Sequence, residues 1–184
     1  MKKKVVVCLF VLMSLFIFTG CEINFGKSKK SVVLYFSATG TTKVVAEKIA
    51  EESDSEIIEI VPKEKYENSD LNYGADSRVR IEQNDDTARP KIKNEIDISD
   101  YEVVYLGFPI WFGYNPRIIY TFLDKYDLRG KTIIPFCTSG NTDIKDSVTN
   151  LRNEYTDLEI KDGKRFAADA SDKEIKEFVK SSNE

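Results

Sequence analysis

The stretch from Ser31 to Ile49, SVVLYFSATGTTKVVAEKI, limits what this chain can fold into more than any other. Val32-Val33-Leu34-Tyr35-Phe36 is an apolar run of a length that suits a buried strand. It breaks at Ser37-Ala38-Thr39-Gly40-Thr41-Thr42, and Val44, Val45, Lys48 and Ile49 then resume at helical spacing. Hydroxyl residues ordinarily cap helices, because the first turn leaves backbone N–H groups without partners. Those N–H groups, with the positive end of the helix dipole, also form an anion site. Four hydroxyls around one glycine exceed the needs of a cap. A phosphate cradle is the expectation here, and a plain capped turn is the alternative.

The cradle carries neither of two common phosphate signatures. Without GxxxxGK[ST] it lacks the lysine and the Mg2+-binding hydroxyl that a nucleoside triphosphate needs. Without GxGxxG there is no close backbone approach for a dinucleotide pyrophosphate. Hydroxyls and N–H groups with no conspicuous cation suit one terminal phosphate. The pattern Ser-x-Thr-Gly-x-Thr after a strand resembles the phosphate loop of the flavodoxin family, which implies FMN held by Ser37, Ala38, Thr39, Gly40, Thr41 and Thr42.

The first twenty residues stand apart from that unit. Lys2-Lys3-Lys4 is a positive n-region, and Val5 to Phe18 is an apolar segment of signal-peptide length, short for a spanning helix. Phe18-Thr19-Gly20-Cys21 resembles a bacterial lipobox, although Phe18 replaces the usual leucine. The resemblance implies residues 1–20 as a leader, lipid on Cys21, residues 21–31 as a tether and residues 32–182 as the domain. An uncleaved N-terminal anchor is the alternative, and either places the domain at a membrane, on its extracytoplasmic side. Loss of the leader removes three lysines and no acid, leaving 24 basic against 31 acidic residues and a net charge of −7. That balance argues against nucleic acid as a partner. It suits a basic redox partner, or simply a solvated surface. With Cys8 in the leader and Cys21 acylated, Cys137 is left without a disulfide partner. No histidine is present, which excludes the usual zinc ligand sets and Ser–His or Cys–His nucleophiles. Cys137 reads as a small buried residue rather than a redox thiol.

Beyond the first helix, Ser55 to Val61 reads as a second strand stopped by Pro62, and strand–helix–strand alternation signals a parallel sheet. Pro62 to Tyr101 is charged and asparagine-rich, with a weak helical pattern over Tyr73 to Gln83; it reads as a solvated crossover or a cover for one edge of a ligand. Tyr101 to Pro109 is a third strand. Ile110-Trp111-Phe112-Gly113-Tyr114-Asn115-Pro116 follows it as a loop bearing the only tryptophan. Arg117 to Tyr126 is an amphipathic helix, and Lys131 to Phe136 a fourth strand running into Cys137-Thr138-Ser139-Gly140-Asn141. A helix over Asp143 to Tyr155, a fifth strand over Lys164 to Ala167, and a helix over Asp172 to Lys180 with a Ser171/Glu174 capping box complete the chain.

In a doubly wound sheet, ligands bind outside the carboxyl ends of strands. Trp111 there is either rim packing or a flat surface for a ring to stack on. The loops resemble the second and third flavin-contacting loops of flavodoxins. This implies that Pro109, Ile110, Trp111, Phe112 and Gly113, with Thr138, Ser139 and Gly140, hold the ring. A second aromatic usual in the third loop is missing; Tyr114 or the crossover could take its place. The expected fold is therefore α/β: a doubly wound, five-stranded parallel sheet in three α/β/α layers. The expected activity is FMN-based electron transfer at the outer face of the cytoplasmic membrane, to a redox protein or small acceptor. An NAD(P)H-dependent reductase of quinones or similar acceptors is the alternative, followed by a cofactor-free partner-binding module.

Overall fold

The computed structural model describes residues 29–182; the leader, the lipobox and Cys21 lie outside the described residues. Strand β1 (Ser31–Tyr35) runs between β2 (Glu56–Glu59) and β3 (Val103–Pro109), and β3 pairs in turn with β4 (Thr132–Thr138), every pairing parallel. Successive side chains on a strand point to opposite faces, and both faces here are apolar. Val32, Leu34 and Phe36 enter one core, Val33 and Tyr35 the other. In β3 Val104, Leu106 and Phe108 part in the same way from Val103 and Tyr105. Continuous apolar runs are what a parallel sheet needs when helices cover both sides. Helices α1 (Thr41–Glu52) and α5 (Asp172–Ser182) cover one face; α3 (Arg117–Lys125) and α4 (Lys145–Glu154) cover the other. The three layers match expectation.

The last strand differs from expectation, being split in two. β5 (Glu159–Ile160) and β6 (Lys164–Phe166) both pair with β4, and the strand order is β2-β1-β3-β4-β5. Pro135 lies in β4 opposite the break. Ile133 accepts a hydrogen bond from Lys161 N at 2.8 Å on that side, so Pro135, two residues on, faces the same neighbour with no N–H to offer. The chain swings past at Gly163, where a Cβ would stand 2.8 Å from the Pro135 carbonyl oxygen. Only Lys164 onward carries a strand-like sequence, and the two residues of β5 are too few for a periodic signal.

The crossover holds one short helix, α2 (Arg78–Asn84), capped by Ser77. It starts five residues later than the pattern suggests, because Asn72 closes a turn on Gly74 N (2.7 Å) and Ser77 donates to Gly74 O (3.0 Å). This segment is fastened down at several points. The Asn94 side chain accepts from Val61 N and donates to Glu59 O, standing in for a strand neighbour at the β2 edge. Arg89 joins Asp124 of α3 (2.6 Å) to Glu154 of α4 (3.0 Å). At the C-terminal helix the capping box forms as expected, with Ser171 and Glu174 exchanging backbone and side-chain bonds.

Candidate functional site

Three loops leave the carboxyl ends of β1, β3 and β4 and meet. Ile110 N donates to Thr138 O (3.1 Å), joining the second loop to the third. Thr42 and Thr138 share a buried hydroxyl–hydroxyl bond of 2.8 Å, joining the first to the third. The Phe36 ring meets Trp111 edge to face at 5.4 Å, joining the first to the second. All fourteen residues singled out in the sequence between Ser37 and Gly140 therefore fall in one neighbourhood.

The first loop turns through Gly40, whose φ of 89° is left-handed and suits a residue without Cβ. Gly40 N donates to Ser37 Oγ (3.1 Å), folding the loop on itself. Helix α1 then begins with no side-chain cap and no acid in its first turn. Its leading N–H groups and dipole are free to meet an anion. The hydroxyls divide into two roles. Thr39, exposed, and Thr41 lie together at 3.2 Å. Thr42 is buried, and its hydroxyl is bonded to that of Thr138, either of the two being able to donate. Ser37, Thr39 and Thr41 can present hydroxyls to a ligand; Thr42 ties loops together.

The second loop is a tight reversal. Trp111 N and Tyr114 N bond to each other's carbonyls at 2.8 and 3.0 Å, with Phe112 and Gly113 between them at φ 50° and 94°. Positive φ at both central positions is the hairpin geometry that glycine favours and phenylalanine resists. The crossover holds it in place. Gln83 Nε2 donates to Trp111 O (2.9 Å) and Asn115 O (3.3 Å). Tyr66 meets Trp111 at 5.1 Å and Phe36 at 5.6 Å, completing an edge-to-face trio. Arg78 lies over the Tyr66 ring, 3.9 Å from its centroid, and pairs with Glu82, which accepts the Tyr66 hydroxyl at 2.6 Å. Burial and the Glu82 carboxylate push the Tyr66 phenol far above its ordinary range, so it stays a donor.

In the third loop Arg165 donates to the carbonyls of Ser139 and Gly140, both at 2.9 Å. Cys137 is buried beneath it, and burial pushes its thiol up to about 12. This is the inert thiol expected of a packed residue. A Cβ on Gly40, Gly113 or Gly140, one in each loop, would meet no protein atom within 4 Å. Gly130 shares that freedom in an ordinary turn; the other three share one end of the sheet. An uncapped helix start, flanking hydroxyls and an aromatic wall fit a phosphate joined to a flat ring. Tyr66, Gln83 and Arg165 act here without having been singled out in the sequence. None sits in a motif, and each works through a partner remote in the chain.

The family model described as Flavodoxin matches residues 30–182. A candidate flavoprotein from Bacteroides eggerthii is 39% identical at a TM-score of 0.80, over 83% of this chain and 97% of that one. Another from Bacteroides uniformis is 38% identical at 0.80, over 84% and 99%. A flavoprotein from Lactobacillus acidophilus, solved in complex with FMN, is 30% identical at 0.60, over 75% and 93%. A comparison with curated proteins finds no match.

Proposed function

The chain belongs to the flavodoxin family, and from that premise we propose that it binds FMN and carries electrons as a lipid-anchored protein. The observation that carries the reading is the bare start of α1 at the meeting point of the three loops. The first-turn N–H groups, with Ser37, Thr39 and Thr41, would take the phosphate. Trp111, with the glycines of the second and third loops, would border the ring. The FMN complex of the Lactobacillus acidophilus relative supports the choice of cofactor. Bound FMN would supply the redox chemistry. The chain's own part is to place it, to keep water from one side with the Phe36–Tyr66–Trp111 cluster, and to leave an edge open to a partner. Anchoring through Cys21 would hold the domain at the outer face of the cytoplasmic membrane, rich in acid and suited to a basic redox protein.

Purified protein should be yellow, release FMN on denaturation, and carry acyl mass on Cys21. Stepwise reduction should resolve two one-electron steps. Fast direct reduction by NAD(P)H, with turnover of a quinone, would replace electron transfer with a reductase. A colourless protein that takes up no FMN would remove the flavin reading altogether.

A further inference from the structure

A second cavity opens between the end of α2 and helices α3 and α4, with a volume of about 610 Å³. That is within the usual size range of small-molecule sites. Its charged groups are already matched: Arg117, itself buried, pairs with Asp86, and Arg89 with Glu154. What remains unmatched is neutral. Asn115 is 99% buried and neither atom of its amide has a hydrogen-bond partner. It stands beside the Tyr120 phenol without closing a bond to it. The Gln83 Oε1 is likewise buried and unpaired. Asn150 and Asn153 line the other wall from the exposed side of α4, and the half-exposed Tyr114 ring stands at the edge.

Buried amides without partners are rare because each forfeits its hydrogen bonds to water. Two around one cavity, Asn115 with both atoms free and Gln83 with its oxygen free, call for something that both donates and accepts. An anion would need a free cation, and none lines this space among the described residues. An apolar ring would leave the amides unpaired. We propose that the cavity binds a neutral, hydroxyl-rich small molecule of the sugar or polyol class. Its hydroxyls pair with Asn115, Gln83, Asn150 and Asn153, and its C–H surface lies against Tyr114. Gln83 gives the site a second consequence, since its Nε2 holds the Trp111 carbonyl while the residue also lines the cavity. A ligand on Gln83 therefore pulls on the loop that would border FMN. This link rests on the flavin reading, whereas the binding itself does not.

The test is a titration of the intact 15N-labelled chain, kept in a detergent without sugar headgroups. Glucose and N-acetylglucosamine are the probes, and inorganic phosphate and citrate the anionic controls. The expected result is saturable shifts at the side-chain amides of Asn115, Asn150 and Asn153 with at least one sugar. The double variant Asn150→Ala, Asn153→Ala lies on an exposed helix face and keeps the fold; it should weaken binding about tenfold or more, as for two lost hydrogen bonds. Asn115→Leu should abolish binding while holding or raising the melting temperature, because an unpaired buried amide is removed. No saturable shift with either sugar, shifts with the anions alone, or unchanged affinity in the double variant each overturns the proposal. Sugar binding without FMN binding would overturn only the link to the flavin loop.

Discussion

The first and second loops border the same cleft and are built in opposite ways. The first leaves its helix start bare, and its own Ser37–Gly40 contact sets its shape. The second is held from outside: Gln83 on its carbonyls, Tyr66 and Phe36 on its tryptophan, and two positive-φ residues at its tip. The difference follows from what each loop would hold. A phosphate is met by backbone N–H groups whose direction the helix already fixes. A flat ring is bordered by a side chain, which has rotamers to lose, and its position must be enforced by neighbours.

The largest effect that could break this comparison lies at Tyr66, which is 3% exposed. Tyr66→Ala should cost about 3–5 kcal/mol of unfolding free energy, the usual range for removing a buried aromatic. Tyr66→Phe keeps the ring and loses only the bond to the Glu82 carboxylate, a cost of about 1.5–3 kcal/mol. Urea denaturation of both variants measures the difference. Equal costs would mean that the second loop does not depend on the Tyr66 ring.

Thr39 probes the other side of the comparison. It is exposed, so Thr39→Ala should leave stability unchanged and lower FMN affinity by roughly ten to a hundredfold, through a lost charge-assisted bond of about 1.5–3 kcal/mol. Thr42→Ala should do the reverse, lowering stability by orphaning the buried Thr138 hydroxyl while sparing the phosphate contacts. Fluorescence titration alongside unfolding separates the two. If Thr42→Ala proves the stronger FMN variant, the division of hydroxyls between ligand and scaffold is wrong.

Most of the first loop was legible in the sequence, and little of what holds the second. An apolar run, hydroxyls, one glycine and a helical period are local signals, each imposed by backbone chemistry within a few residues. The layers were legible too, because strands buried on both faces must be apolar throughout. Gln83 and Tyr66 left no such trace: each lies in a polar crossover and meets loop 2 from about 30 to 45 residues away. Thr42 looked like its hydroxyl neighbours until its partner 96 residues on was seen. The split last strand was hidden because its cause, Pro135, sits in a different strand. Tertiary contacts between single side chains have no period to read.

Glycine substitution asks whether tethering matters apart from sequence. Gly40 and Gly113 have nearly the same φ, 89° and 94°, and a Cβ on either meets nothing. Alanine should therefore cost each about 1–2 kcal/mol of intrinsic backbone strain. The first loop, tied to its neighbours only past the glycine at Thr42, can relax part of it, and the second, fixed at both ends of its reversal, cannot. Gly113→Ala should be the more destabilising by thermal unfolding. A larger loss in Gly40→Ala would show the first loop to be the stiffer one.

The smallest effect belongs to Trp111, where the loop's held geometry would meet the cofactor. Its indole stands edge-on to Phe36 and Tyr66, and Trp111→Phe keeps an aromatic in that cluster while shrinking the surface left for a ring. The loss in FMN affinity should be slight, about 0.5–1.5 kcal/mol, the usual worth of an aromatic pair beyond its buried area. The potential is the sharper readout. An apolar cover disfavours the charge gained on full reduction, because burial penalises a charged form. A smaller ring admits more water, so the second-electron potential should rise. Trp111 is the chain's only tryptophan, so its fluorescence in the parent protein reports whether it lies near bound flavin at all: quenched with FMN, recovered without it. Unquenched fluorescence together with an unmoved potential would leave Trp111 as a member of the aromatic trio alone. The scaffold around the second loop would then serve the fold rather than the ring.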